Sequence, residues 1–296
     1  MRKPEHWSGG SGGPRRFDRF ASSRGAPLPA SLGGGEARPR TPCAAETHDP
    51  VYAALDLGTN NCRLLIAKRE QRARRKSDML RVVDAFSRIV RLGEGMGHAR
   101  RISEEAIERT LAALDVCREK MSARGVTRAR LVATQACRAA ENGEEFVQKV
   151  EERTGLRLEI IDRETEARFA ARGCGSLADP QAESVLLFDI GGGSTEVVWL
   201  ARPGHPSAGF ELRHWTSLEL GVVSLAERYG GRSVSEATFA TMTARAFEAL
   251  GPFAAMTAAE RRCQRFHLLG TSGTVTTLAG VHLGLERYDR WRVDGL

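Results

Sequence analysis

Three loops in this chain carry the residue types that bind phosphate. Asp56-Leu57-Gly58-Thr59-Asn60-Asn61 follows the apolar run Val51-Tyr52-Ala53-Ala54-Leu55. Asp189-Ile190-Gly191-Gly192-Gly193-Ser194-Thr195-Glu196 follows Val185-Leu186-Leu187-Phe188, and Gly270-Thr271-Ser272-Gly273-Thr274 follows Phe266-His267-Leu268-Leu269. A phosphate needs several hydrogen-bond donors at close range with no side chain blocking the backbone. Glycine permits that approach, and Thr, Ser and Asn add donors of their own. The third loop is expected to open a helix, whose free N–H groups and dipole favour an anion. An aspartate at each of the first two strand ends adds a carboxylate suited to hold Mg²⁺ or a water beside the phosphate. One glycine-rich turn usually just turns the chain, but three in this order predict one phosphate site assembled from two related halves.

The elements that must position these loops follow from the spacing of apolar residues. After Val51 the chain reads strand, tight turn, strand (Cys62 to Lys68), basic loop (Arg69 to Lys76) and a third strand near Leu80 to Leu92. Ser103 is a plausible N-cap for a helix that buries Ile107, Leu111, Leu114, Cys117 and Met121. A strand over Arg130 to Thr134, a helix over Glu144 to Thr154, a strand near Arg157 to Ile161 and a helix over Arg163 to Gly173 complete a βββαβαβα order. After a break around Ser176 to Glu183 the order begins again, with strands to Leu200 and over Phe210 to Ser217 on either side of a Pro/Gly loop (Arg202 to Gly209). Helices near Val222 to Tyr229 and Ser235 to Leu250, the strand near Phe266 and a helix after Gly273 follow. Repetition of one supersecondary order predicts an α/β fold made by duplication, with the ligand in the cleft between the halves. The expected domains are 51–178 and 179–296.

Composition bounds the rest. The chain has 296 residues, 41% apolar and 27% charged, ordinary for a globular protein with a substantial core. No apolar run reaches the roughly 20 residues that span a bilayer, and the start lacks a signal-peptide segment, so a cytoplasmic protein without membrane contact is expected. Six cysteines are scattered without a Cys-x-x-Cys pair, which speaks against a disulfide framework or structural zinc. The formal net charge is +7. Residues 1–50 hold eight Lys and Arg against five Asp and Glu, so the body is only mildly basic, and no specific nucleic-acid partner is expected. That first segment is rich in Gly and Pro without apolar periodicity and is expected to be a disordered tail.

The chain resembles the exopolyphosphatase and guanosine pentaphosphate phosphohydrolase family, within the actin, sugar-kinase and chaperone-ATPase superfamily. The resemblance runs from about Tyr52 to Leu296. It rests on Asp56 to Asn61, Ala133-Thr134-Gln135-Ala136-Cys137-Arg138, Glu164-Thr165-Glu166-Ala167-Arg168, Asp189 to Glu196, Ser217-Leu218-Glu219-Leu220-Gly221 and Gly270 to Thr274. It implies two ribonuclease-H-like (actin-like ATPase) domains flanking a cleft. It also implies that Gly58, Thr59, Asn60, Asn61, Gly191, Gly192, Gly193, Ser194 and Gly270 through Thr274 hold phosphates, with Arg138 as the phosphate clamp. Glu166 becomes the catalytic carboxylate, Asp189 with Glu196 the second acidic pair, and Asp56 lies opposite Asp189; Mg²⁺ is held by Asp56, Asp189 and Glu196. From the residues alone, Glu166 and Arg168 fit a solvated helix face as readily, and Arg138 fits a pairing with Glu141 or a helix C-terminus.

The implied activity is hydrolysis of terminal phosphoanhydride bonds of inorganic polyphosphate, with guanosine pentaphosphate as the alternative substrate. Such a reaction needs charge neutralisation, an oriented water and little covalent work by the protein. A kinase or ATPase of the wider superfamily and a non-catalytic polyphosphate or alarmone sensor are the rival readings; the oligomeric state stays open, a homodimer included. The chain departs from the family at Thr59 and Asn61, where serines are common, at Thr165, where many members carry glutamate, and at Ser272, where glycine is frequent. Family members also continue past the segment resembling Tyr288 to Leu296, so the second domain is expected to be incomplete at its C-terminus.

Overall fold

The computed structural model describes residues 50–70, 79–203, 209–231, 233–260 and 265–294. The expected tail (residues 1–49) and most of the loops after Glu70 and after Pro203 lie outside the described residues. Strands β1 (Val51–Leu57), β2 (Asn61–Glu70) and β3 (Met79–Ile89) open the chain. Short helix α1 (Met96–Ala99) and long helix α2 (Glu104–Ala123) follow, then β4 (Arg128–Ala133), α3 (Gln135–Ala139), α4 (Gly143–Thr154), β5 (Glu159–Ile160) and α5 (Arg163–Cys174). The second half contains β6 (Ser184–Ile190), β7 (Thr195–Ala201), β8 (Glu211–Leu218), α6 (Val222–Tyr229), α7 (Glu236–Met256), β9 (Phe266–Thr271), α8 (Ser272–His282) and α9 (Arg290–Val293).

The two sheets share one plan. The first has the order β3-β2-β1-β4-β5 and the second β8-β7-β6-β9. In each, the first strand runs antiparallel to the second and parallel to the fourth. The duplication therefore holds through four strands; β5 has no counterpart among the described residues. In β1, Val51, Ala53, Leu55 and Leu57 alternate inward, as a strand buried on one face requires. They meet Leu111, Leu114 and Cys117 of α2 and Phe146 and Val150 of α4 in one core. Ser103 caps α2 by accepting the Ala106 N–H at 3.2 Å, as its position before an apolar periodicity predicts.

Helix α5 leaves the first sheet and packs on the second. Its Ala167 joins Val185, Leu187, Val198 and Leu200 on one face, while Val197 and Trp199 pack with Phe253 of α7 on the other. Strand β7 is covered on both faces, hence its unbroken apolar run rather than an alternation.

Several boundaries differ from the sequence reading. The third strand ends at Ile89 instead of continuing to Leu92, because the Val90 and Arg91 N–H groups turn to the Asn60 carbonyl (2.8 and 3.0 Å). Helices α1 and α3, of 4 and 5 residues, are too short to display a period. Helix α7 runs on to Met256 through Pro252 rather than ending at Leu250. Among the described residues no helix is long and apolar enough to cross a membrane.

One buried side chain ties α2 to α4. Asn142 accepts the Ile102 N–H at 2.8 Å and donates to the Ile102 carbonyl at 3.0 Å. Asn142→Ala leaves both backbone groups buried and unpaired. It is expected to cost about 2–6 kcal/mol in urea unfolding, at roughly 1–3 kcal/mol per unsatisfied group.

Candidate active site

The two glycine turns are built alike. Each is a four-residue loop closed by its first N–H on its last carbonyl, Gly58 to Asn61 and Gly191 to Ser194, both at 2.9 Å. In each, the intervening carbonyls are tied back by another segment. Thr59 O accepts from Gly93 N, and Asn60 O from Val90 and Arg91. Gly191 O accepts from Val222 N, and Gly192 O from Val223 and Ser224. Carbonyl oxygens repel an anion, so withdrawing them favours one. The N–H groups of Thr59, Asn60, Gly192 and Gly193 make no hydrogen bond among the described residues and remain available as donors.

The turns also face each other across the cleft. A Cβ on Gly192 would lie 3.1 Å from Thr59 Cβ and 3.2 Å from Asn60 Cβ, and one on Gly193 would lie 2.8 Å from Thr59 Oγ1 and collide with Gln135 Oε1. Thr59 Oγ1 donates to Gln135 Oε1 at 3.1 Å, which joins the first turn to the start of α3. Gly221, before α6, presses on the Gly192–Gly193 peptide so closely that a methyl group there would overlap the Gly192 carbonyl and the Gly193 nitrogen. The cleft beside these turns holds about 440 Å³ and is lined by Thr59, Gly193, Gln135 and Arg138, among others.

Four carboxylates converge behind the turns. The Asp56 residue is exposed by surface area, yet the protein around its carboxyl raises its pKa; Arg63 opposes this and Asp189 adds to it. Burial likewise raises Asp189, against the Ser272 hydroxyl, Arg63 and the Thr271 hydroxyl. Glu196 is 4% exposed and raised by burial, while Ser217, whose Oγ donates to its Oε1 at 2.9 Å, and Ser194 hold it down. Glu166 is pushed up to about 7, first by burial and then by the charge of Glu196, with Arg138 pulling the other way. Among the described residues no three His, Cys, Asp or Glu side chains cluster closely enough to hold a metal ion by themselves.

Arg138 reaches Glu166 from the end of α3. Its Nη2 donates to Glu166 Oε2 at 3.0 Å and its Nη1 to the Ile161 carbonyl at 2.7 Å. Of the alternative placements for Arg138, it does stand in the last turn of α3, but Glu141 faces Arg100 instead, at 3.6 Å. Arg168 pairs with Glu164 on the exposed face of α5 and stays out of the cleft. Asp162 starts α5 by accepting the Thr165 N–H at 2.7 Å, which sets the turn that points Glu166 inward.

The third loop is placed less simply. Gly270 is packed against the Phe188 ring and Val275, the Thr271 hydroxyl reaches the Phe188 carbonyl at 3.5 Å and the Thr274 hydroxyl donates to the Ile190 carbonyl at 3.0 Å. These contacts tie the third loop to β6. Ser272 has φ 79°, a left-handed conformation that favours glycine and accounts for the glycine frequent there.

The sequence reading passed over Arg63, Gln135, Ser217 and Gly221. The register held the clue to the first and third. Asp56 pairs with Arg63 as Asp189 pairs with Glu196, and Glu196 pairs with Ser217 on its other side. Gln135 and Gly221 lay inside the motifs already singled out, but neither bears a charge.

With this geometry in place, comparison with known proteins is specific. A sequence model of the Ppx/GppA phosphatase family matches residues 70–287. A Ppx/GppA family member from Aquifex aeolicus is 28% identical, with a TM-score of 0.60, over 82% of this chain and 72% of that chain. An exopolyphosphatase from Cytophaga hutchinsonii is 25% identical, with a TM-score of 0.68, over 80% and 72%. An exopolyphosphatase-like protein is 28% identical, with a TM-score of 0.68, over 81% and 71%.

Proposed function

Because the chain belongs to the Ppx/GppA phosphatase family, we propose that it removes the terminal phosphate of inorganic polyphosphate by hydrolysis, with guanosine pentaphosphate as the alternative substrate. The observation that carries this reading is the facing pair of turns with their carbonyls withdrawn, set beside an Arg138–Glu166 pair. Both candidate substrates end in the same terminal phosphoryl group, and both belong to the cytoplasm, where this reading puts the protein.

In this mechanism the Thr59, Asn60, Gly192 and Gly193 amides receive phosphate oxygens, and the carbonyls that would repel them are held elsewhere. Arg138 offers a planar fork that grips two oxygens at once, which a lysine does not. Glu166, with a pKa near neutrality, takes the proton from the water that attacks the terminal phosphorus. The phosphoanhydride oxygen of the shortened chain leaves as water enters. Asp56, Asp189 and Glu196 are hard oxygen donors, and although no three such side chains close on one point among the described residues, one or two of these carboxylates would hold Mg²⁺, which completes its shell with phosphate oxygens and water. When bound there, Mg²⁺ would neutralise charge on the phosphoryl oxygens.

The test is release of orthophosphate from long-chain polyphosphate and from guanosine pentaphosphate, with Mg²⁺ and with the metal chelated. Release that requires Mg²⁺ supports the hydrolase and ranks the substrates. Tight binding of either compound without release identifies a sensor instead.

A further inference from the structure

Each glycine turn depends on a second segment that draws its carbonyls away from the cleft. For the first turn that segment is 90–93: the Gly93 N–H takes the Thr59 carbonyl at 2.9 Å, and the Val90 and Arg91 N–H groups take that of Asn60. For the second turn it is the start of α6, where the Val222 N–H takes the Gly191 carbonyl at 3.1 Å and the Val223 N–H that of Gly192 at 2.8 Å. One side chain joins these two segments. Glu227, one turn beyond Val223 on α6, accepts the Gly95 N–H at 2.6 Å through Oε1 and the Gly97 N–H at 3.2 Å through Oε2. Its partners lie 132 and 130 residues earlier, in the other half of the molecule.

The place of this carboxylate carries a cost. Glu227 lines the same cleft as Thr59, Gly193 and Arg138, and a negative charge there repels a phosphate chain. A link that served only to hold the halves together would do better with a neutral side chain. A carboxylate, however, offers two oxygens, and both are used. Two charge-assisted bonds to amides of one short segment fix its direction as well as its distance. Gly95 has φ 79°, the left-handed turn that glycine adopts freely, at the start of α1. Gly97 closes on the carboxylate from the other side, since a Cβ there would stand 2.9 Å from Glu227 Oε2.

We propose that Glu227 is a positioning residue that sets the distance between the two phosphate-binding turns, by tying the segment that shapes the first turn to the helix that shapes the second. It touches no reacting atom. Without it each turn keeps its own carbonyls withdrawn, through Gly93 on one side and Val223 on the other. What is lost is the fixed spacing between the turns, so the Thr59, Asn60, Gly192 and Gly193 amides no longer meet one phosphoryl group together. This inference rests on the phosphoanhydride reading.

The experiment compares the native chain, Glu227→Gln, Glu227→Ala, Gly97→Ala and the double variant Glu227→Ala with Gly97→Ala. Polyphosphate hydrolysis is measured well below the unfolding temperature, and thermal unfolding is followed across a titration with inorganic phosphate in Mg²⁺-free buffer. Misplacement of about 1 Å costs about 100-fold, so kcat should fall about 100-fold in Glu227→Ala and about 10-fold in Glu227→Gln, which keeps one acceptor oxygen, with KM within about threefold. Gly97→Ala keeps the carboxylate but displaces it; it should cost about 10-fold in the native background and nothing more beside Glu227→Ala, because the two changes act through one contact. Phosphate should raise the Tm of the native chain and raise that of Glu227→Ala less. A merely structural tie would lower the Tm and leave the kcat of the folded protein alone. A kcat within about threefold of native in Glu227→Ala therefore overturns the inference whatever its Tm, and so does an equal cost of Gly97→Ala in both backgrounds. If Glu227→Ala does not fold, Gly97→Ala decides, and native kcat there overturns it. If the native chain releases no phosphate, the hydrolase reading fails and the titration decides: a Tm gain lost in the variants upholds the positioning role, while an equal gain, or none in the native chain, overturns it.

Discussion

Replacing Glu166 by glutamine is expected to lower kcat for phosphate release by about 10²–10⁴-fold, the range that a positioned general base supplies, with KM nearly unchanged. Glutamine keeps the shape and still accepts from Arg138, so the Arg138–Glu166 contact at 3.0 Å survives while the base is lost. The pH dependence follows from the same side chain. Burial and the Glu196 charge hold the Glu166 pKa at about 7, and the base must be ionised to work. The native kcat/KM should therefore fall as pH drops below about 7, and the Glu166→Gln profile should lack that limb. Stability moves the opposite way. A carboxyl with a raised folded pKa binds its proton more tightly when folded, so the penalty is absent at acid pH and full above about 7. Glu166→Gln should thus melt at a higher temperature than the native chain at pH 8 and at a similar one at pH 4. A variant within about threefold of native kcat would remove Glu166 from the chemistry.

The second large effect is expected at a residue with no functional group. A methyl group on Gly221 would overlap the Gly192 carbonyl and the Gly193 nitrogen. These are backbone atoms, anchored by the Val222, Val223 and Ser224 amides, and cannot swing aside like a flexible side chain. Gly221→Ala must therefore push the second turn toward or away from Thr59. Displacement of about 1 Å costs about 10²-fold when geometry governs the rate, so kcat/KM should fall by at least that much. Gly175→Ala is the control, since a Cβ there meets nothing within 4 Å and the position is not left-handed. It should leave both rate and Tm unchanged. If Gly221→Ala retains native activity, the spacing between the two turns does not limit the reaction.

How much of this could be read in advance depends on range along the chain. The three loops, the paired sheets and the capped helix α2 were legible because each rests on local spacing: a strand, a turn and a strand in immediate succession. The Arg138–Glu166 contact was legible only through the family resemblance, since 28 residues separate the two and neither neighbourhood reveals the other. Arg63 was within reach, because a four-residue turn fixes the register, and that register puts residue 63 opposite Asp56 as surely as residue 196 opposite Asp189. The packing of Gly221 on Gly192 was not, for two glycines carry no pattern that announces their contact. Nor was the move of α5 onto the second sheet, which depends on how large apolar faces match once both sheets exist. Ser272 shows a third limit. Its left-handed backbone is imposed by the β9–α8 corner, against the preference of serine itself.

The most direct test of the central claim, attack by water on the terminal phosphorus, is hydrolysis of polyphosphate in ¹⁸O-labelled water. Mass spectrometry of the products then locates the label. A site in which Glu166 activates water beside a gripped terminal phosphoryl group predicts one ¹⁸O in each released orthophosphate and none in the shortened chain. Label in the shortened chain with unlabelled orthophosphate would mean attack at the neighbouring phosphorus, and no label in either product would mean transfer to a group other than water; either contradicts the account.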